Sequence, residues 1–180
     1  MRAVIENAIR SAAHPAAEIA VDASLPYVGG DEFDLAGVAR AERHHFVAEG
    51  DPYRRVIVQL ERFLDSNDRR YLFAIADPVT VGPIAFTTGV HVYSAADEAV
   101  SEPGRESDRT RRFLAEHGLE APEELVMVRL ATAFEPERRH ELIVFYEESA
   151  AAHGLRPGDE PPPALDTALR ELALDAFDLR

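Results

Sequence analysis

The stretch Leu125–Ser149 reads LVMVRLATAFEPERRHELIVFYEES and decides the fold. Val126, Val128, Leu130, Thr132 and Phe134 alternate with Met127, Arg129, Ala131 and Ala133. After Glu135-Pro136-Glu137-Arg138-Arg139, the run Leu142-Ile143-Val144-Phe145-Tyr146 resumes the apolar pattern. A period near two with branched and aromatic side chains reads as strand, and the polar break reads as a hairpin connection. An antiparallel sheet follows, but no chemistry does.

Upstream, Arg54–Leu64 sets Val56, Val58, Leu60 and Leu64 against Gln59 and Glu61, the pattern of a half-buried strand. Asp65-Ser66-Asn67-Asp68 is turn chemistry, Tyr71–Ala76 reads as the returning strand, and Ile84–Tyr93 as a third. Strands so close in sequence predict an antiparallel meander. Ala17–Val21 predicts a further short strand. Ile5, Ala8, Ile9 and Ala12 have helical spacing, which predicts a helix over Val4–Ala13 that stops at His14-Pro15. Asp34 is placed as the N-cap of a helix from Leu35 to about Glu49, closed by Gly50 and Pro52. Ser107 caps another helix through His117, with Gly118 after its last turn. A Pro/Gly-rich strap over residues 150–163 leads to a C-terminal helix whose stripe is Leu165, Leu169, Leu172, Ala176 and Leu179. The expected architecture is one α+β domain over 1–180, an antiparallel sheet of about five strands covered by three to four helices.

Composition bounds the function. At 180 residues, 46% hydrophobic and 29% charged, the chain can bury a core without staples. It has no cysteine, which excludes disulfides, thiolate metal sites and a cysteine nucleophile. No apolar run approaches the roughly 20 residues that cross a bilayer. Met1-Arg2-Ala3-Val4-Ile5-Glu6 meets an acid too early for a secretory leader, so the expected compartment is the cytoplasm. The 19 basic residues, all Arg, stand against 33 acids and give a net charge of −14. A field of that sign repels phosphate backbones, so neither nucleic acid nor membrane is expected as a partner.

No phosphate-binding loop, dinucleotide glycine run, nucleophile elbow or zinc-protease helix occurs. The candidate sites are therefore individual side chains, and no metal or cofactor is expected. On Ile84–Tyr93, one face carries Ala85, Thr87, Gly89, His91 and Tyr93. His91 and Tyr93 suit an acid/base and a donor above a cavity floor that includes Thr87. Glu42 and His45 have an E-x-x-H spacing, and a carboxylate on an apolar helix face would be pushed toward a general acid. Arg129 within its apolar strand suits a cross-strand partner, Glu147 if Thr132 faces Val144, or else a ligand carboxylate. Arg105, Arg109 and Arg112 share one helix face with Asp108 and Glu116. Leu174 and Phe177 lie off the C-terminal stripe, which leaves them for an interface.

Two functional readings follow. The first is an accessory or protein-interaction module that pairs with another protein or with itself as a homodimer through an apolar surface. The second is a small-molecule-binding protein or enzyme with a sheet–helix pocket that uses His91 and Tyr93, with Glu42 or Arg129.

Overall fold

The computed structural model describes residues 2–11, 17–73, 78–94, 106–120 and 123–180. They build two antiparallel sheets. The strands are β1 (Ala3–Ile5), β2 (Ala8–Ser11), β3 (Ala17–Val21), β4 (Tyr27–Leu35), β5 (Ala39–Ala48) and β6 (Asp51–Phe63). They continue with β7 (Val79–Val81), β8 (Ile84–Ser94), β9 (Glu124–Ala133), β10 (His140–Ser149) and β11 (Phe177–Leu179). The α-helices are α1 (Glu106–Glu116) and α2 (Pro163–Asp175). One sheet runs β1-β2-β3-β11, the other β4-β5-β6-β10-β9-β8-β7. The fold is thus mostly β, which corrects the expected α+β arrangement of about five strands under three to four helices.

Two expected helices are hairpins. Glu6 and Asn7, at φ 49° and 63°, turn β1 into β2. Ala36 and Gly37, at φ 49° and 68°, turn β4 into β5, with Val38 N–H bonded to Leu35 C=O at 3.0 Å. Paired left-handed residues give the tight turn whose twist matches that of the flanking strands. The apolar spacing there fits a period of 3.6, but pairing across the turn fixes a period of two. Residues 12–16, which hold the end of the first expected helix, lie outside the described residues.

The meander is also corrected. Tyr71–Phe73 forms no strand, and the rest of Tyr71–Ala76 lies outside the described residues. β6 instead pairs with β5 and β10, and β8 pairs with β9. The Leu125–Ser149 hairpin forms as β9 and β10, with Thr132 opposite Leu142 rather than Val144. The helix from Ser107 forms as α1, closed by Leu119 N–H to Leu114 C=O at 2.9 Å over left-handed Gly118. The last expected helix ends at Asp175, and its final residues become β11 against β3.

Even-numbered residues of the larger sheet, among them Phe46, Val58, Leu130, Val144 and Phe86, face an apolar core. Ile9, Ile19, Val21 and Leu179 of the smaller sheet and Leu169 and Ala173 of α2 complete it. Phe86 meets Phe177 edge-on, ring centroids 6.3 Å apart, and so joins the two sheets. No helix among the described residues is long and apolar enough to cross a membrane.

Candidate functional site

The other face of the larger sheet is polar, yet it is buried. Register sets His45, Ile57, Phe145 and Arg129 in one row, and Arg55, Glu147, Met127 and His91 in the next. Arg43, His45, Arg55, Gln59, Glu61, Glu141 and Glu147 all lie on this face and are all buried. Their alternation with Val56, Val58 and Leu60 looks like a solvated strand face; α1 is what covers part of it.

Named contacts hold α1 down. Arg43 donates from Nε to Gln59 Oε1 at 2.6 Å, and from Nη1 to Thr110 Oγ1 at 2.7 Å and the Glu106 carbonyl at 3.0 Å. Its Nη2 reaches Glu106 Oε2 at 2.7 Å. Phe113 stacks on His45 with centroids 4.0 Å apart and on His117 at 4.1 Å. Gly29 makes this approach possible, because a Cβ there would lie 3.1 Å from Phe113 Cζ and 3.2 Å from His117 Nε2. At Gly30 a Cβ would lie 2.5 Å from the Arg43 carbonyl oxygen, so β4 needs glycine to sit against β5.

Between helix and sheet lies a cavity of about 140 Å³. Arg43, Ile57, Tyr93 and Glu147 contribute to it from the sheet, and Glu106, Ser107 and Thr110 from α1. Tyr93 donates its hydroxyl to Glu147 Oε1 at 2.9 Å, and Arg55 Nε donates to Glu147 Oε2. A groove of about 810 Å³ runs past Arg111, Arg112 and Tyr53, but none of its lining residues is buried. Its charges are solvated, as in the exposed Arg112–Asp108 pair at 2.9 Å.

Elsewhere on this face, Asp31 Oδ1, both His45 ring nitrogens and Arg55 Nη1 are buried with no hydrogen-bond partner among the described residues, and none of these three residues lines the cavity. His45 Nε2 and Asp31 Oδ1 are 3.6 Å apart, too far for a hydrogen bond. Burial pushes the His45 imidazole down, and the charges of Arg43 and Arg55 add to this; together they outweigh Asp31, leaving it at about 4. His45 is therefore neutral at pH 7 and offers one donor and one acceptor. For Asp31, burial is opposed and outweighed by His45, Arg43 and Arg109, which hold its carboxyl below the ordinary value.

Glu61 and Glu141 face each other across β6 and β10 farther along this surface. Burial and then the Glu61 charge raise Glu141 to about 7, against the opposing pull of Arg129. Below pH 4.5 the folded and unfolded chains both hold this proton. As pH rises toward 7 the unfolded chain releases it first, so stability is lost across that window. Glu141→Gln removes the loss: unfolding in denaturant at pH 8 should find the variant about 3 kcal/mol more stable. At pH 4.5 the two proteins should coincide. An equal difference at both pH values would refute the assignment.

The sequence-based candidates scatter. Tyr93 reaches the cavity; His91, two residues earlier, is exposed and leans back over Gly89, where a Cβ would lie 3.0 Å from its Nε2. Thr87 sits opposite Ala131, away from the cavity lining. Arg129 faces Phe145 rather than Glu147 and pairs with Glu141 at 3.1 Å. Glu42 and His45 are three apart on a strand, so they point to opposite faces. Burial would raise Glu42, but His44, the Arg2 backbone N–H and the Arg2 guanidinium outweigh it and hold it at about 2, so it is no general acid. Arg109 lies over the Phe33 ring at 4.8 Å, Arg112 is paired, and Arg105 is outside the described residues. Arg43 and Arg55 are not among the sequence-based candidates, and His45 is one only through its spacing from Glu42. Two polar positions alternating with apolar ones on β6, Arg55 and Gln59, were the available signal.

Among the described residues, no three His, Asp or Glu side chains are grouped to hold a metal ion. No family model, curated protein or solved structure matches this chain.

Proposed function

We propose that the chain is a cytoplasmic small-molecule-binding protein whose ligand sits between α1 and the polar face of the larger sheet. The observation that carries this reading is the lining of the cavity, in which Arg43, Thr110 and Glu147 are buried polar side chains. A small polar molecule held there meets these charged and hydroxyl groups on one side and Ile57, Met127 and Phe145 on the other. The cavity has room for roughly five to seven non-hydrogen atoms, taking up to ~30 Å³ for each. The interaction-module reading needed Leu174 and Phe177 on the surface. Leu174 packs on the core and Phe177 is 4% exposed, so the pocket reading is the better supported.

Nitrogen-15 NMR with acetate, glycolate, glycine, ethylene glycol and acetamide as probes tests it. Binding in the cavity shifts the amide signals of Tyr93, Thr110 and Glu147 together. If no probe moves them, the cavity is not a binding site.

A further inference from the structure

We propose that residues 65–73 are a cover that opens from the larger sheet as pH rises, because Tyr71 seals it over two opposed carboxyl groups, Glu61 and Glu141. The register puts Ala41, Glu61, Glu141 and Ala133 in one row across β5, β6, β10 and β9. All four are buried, so two acidic side chains stand directly opposite each other between alanines. Like charges so placed destabilise a sheet, and burial strengthens their repulsion. Glu61 Oε1 accepts from Gln59 Nε2, and its Oε2 accepts from the Tyr71 hydroxyl at 3.0 Å. The Glu141 carboxyl accepts only from Arg129 Nη2 among the described residues, at 3.1 Å. Glu61 is thus the better supported carboxylate, and the proton that the pair shares sits on Glu141. The other charges facing the pair are Arg43 on β5, Arg129 on β9 and Glu106 on α1. Burial and then Glu61 push the Tyr71 hydroxyl up, so it remains a donor throughout.

The cover is lightly held. None of residues 65–73 is buried or belongs to a strand, and Leu72 is 86% exposed. Polar bonds to the β9–β10 turn fasten it instead. Arg138 Nε and Nη2 donate to the carbonyls of Tyr71 and Phe73 at 2.8 and 3.1 Å, and Tyr71 N–H donates to the Arg138 carbonyl at 2.8 Å. Arg139 Nη1 donates to the Asn67 carbonyl at 2.8 Å. The Tyr71 ring stacks on Phe63 with centroids 4.4 Å apart. A segment with so little buried apolar surface opens well before the whole fold does. It supplies no lining residue to the cavity beside α1.

Opening lets water reach the pair and returns Glu141 toward its ordinary value. The closed cover holds it at about 7, through burial first and Glu61 second. The closed state therefore binds the proton more tightly. Closure has this support in full below pH 4.5 and loses it as pH rises to about 7.

Hydrogen exchange read by mass spectrometry tests this on the full chain, with labelling times scaled to the intrinsic exchange rate at each pH. From pH 5.5 to pH 8.5, protection of a peptide within 65–73 that includes Tyr71 should fall about tenfold. A peptide within β10 should keep its protection. Glu141→Gln, uncharged at both pH values, should hold the cover equally at both. Glu141→Leu, also uncharged and of similar size, takes its place if the amide variant does not fold. A local fall of threefold or more that the uncharged variant abolishes supports the proposal. A smaller fall, β10 opening in step with the cover, or a fall that persists in the variant overturns it.

Discussion

Glu147→Ala should lower the free energy of unfolding by about 3–5 kcal/mol, although the side chain touches none of the apolar core. Glu147 accepts from Arg55 and, at 2.9 Å, from the Tyr93 hydroxyl, on a sheet face where Arg55 and Glu147 are 2% and 3% exposed. Alanine leaves the guanidinium out of water with no counter-charge among its contacts. It also removes the carboxylate that accepts from the Tyr93 hydroxyl. The expected control is a double variant, Arg55→Met with Glu147→Leu, which fills similar volume without charge. Buried ion pairs exchanged whole for apolar residues are often neutral in stability or better. Denaturant titration of the two single variants and the double variant gives the coupling energy directly. A Glu147→Ala cost below about 1 kcal/mol would mean that Arg55 is solvated in solution.

Phe177→Ala is expected to cost about 3–5 kcal/mol, against about 0.5 kcal/mol or less for Leu172→Ala on the neighbouring helix. The two residues are five apart, and a helical reading of the C-terminus ranks them the other way round. In the structure Phe177 lies in β11, packs edge-on to Phe86 and closes the core, whereas Leu172 is 44% exposed. β11 is only three residues long, and Phe177 and Leu179 are its two buried side chains. The cost should appear as a lower denaturant midpoint with an unchanged slope. Equal midpoints for the two variants would place Phe177 back on the surface and revive the interaction reading.

How far the chain could be read from its residues depended on the range over which each decision is made. The β9–β10 hairpin was readable because two long runs of branched and aromatic residues flank a single polar turn. Its register was not, since nothing local separates Thr132 opposite Val144 from Thr132 opposite Leu142. Ile5, Ala8 and Ile9, like Leu35, Val38 and Phe46, fit helical and strand periods equally well, and alanine tilted the balance toward helix. Tertiary pairing overrode that preference. The discriminating marks were the turn pairs Glu6-Asn7 and Ala36-Gly37, weak ones beside the Asn-Gly pair that usually announces such a turn.

The candidate site was half readable for the same reason. Tyr93 was found because its strand and its face were read correctly. Arg43 is hidden by the helical reading of residues 35–49, which also puts His45 on one face with Glu42 where the strand separates them. Arg55 stood in plain view on a correctly read strand, where a polar residue alternating with valines ordinarily meets water. In the structure it is 2% exposed and bonded to Glu147, a buried cation.

The division of the larger sheet into an apolar face and a polar one has a consequence for how this scaffold can change. Cohesion is written into alternate letters of each strand, and a buried polar network into the letters between. Exchanges made in matched pairs across the polar letters, such as positions 55 and 147, can therefore redraw the charge on that face while the packing beneath stays as it is. A lineage that kept one set and redrafted the other would conserve its architecture and drift in its chemistry.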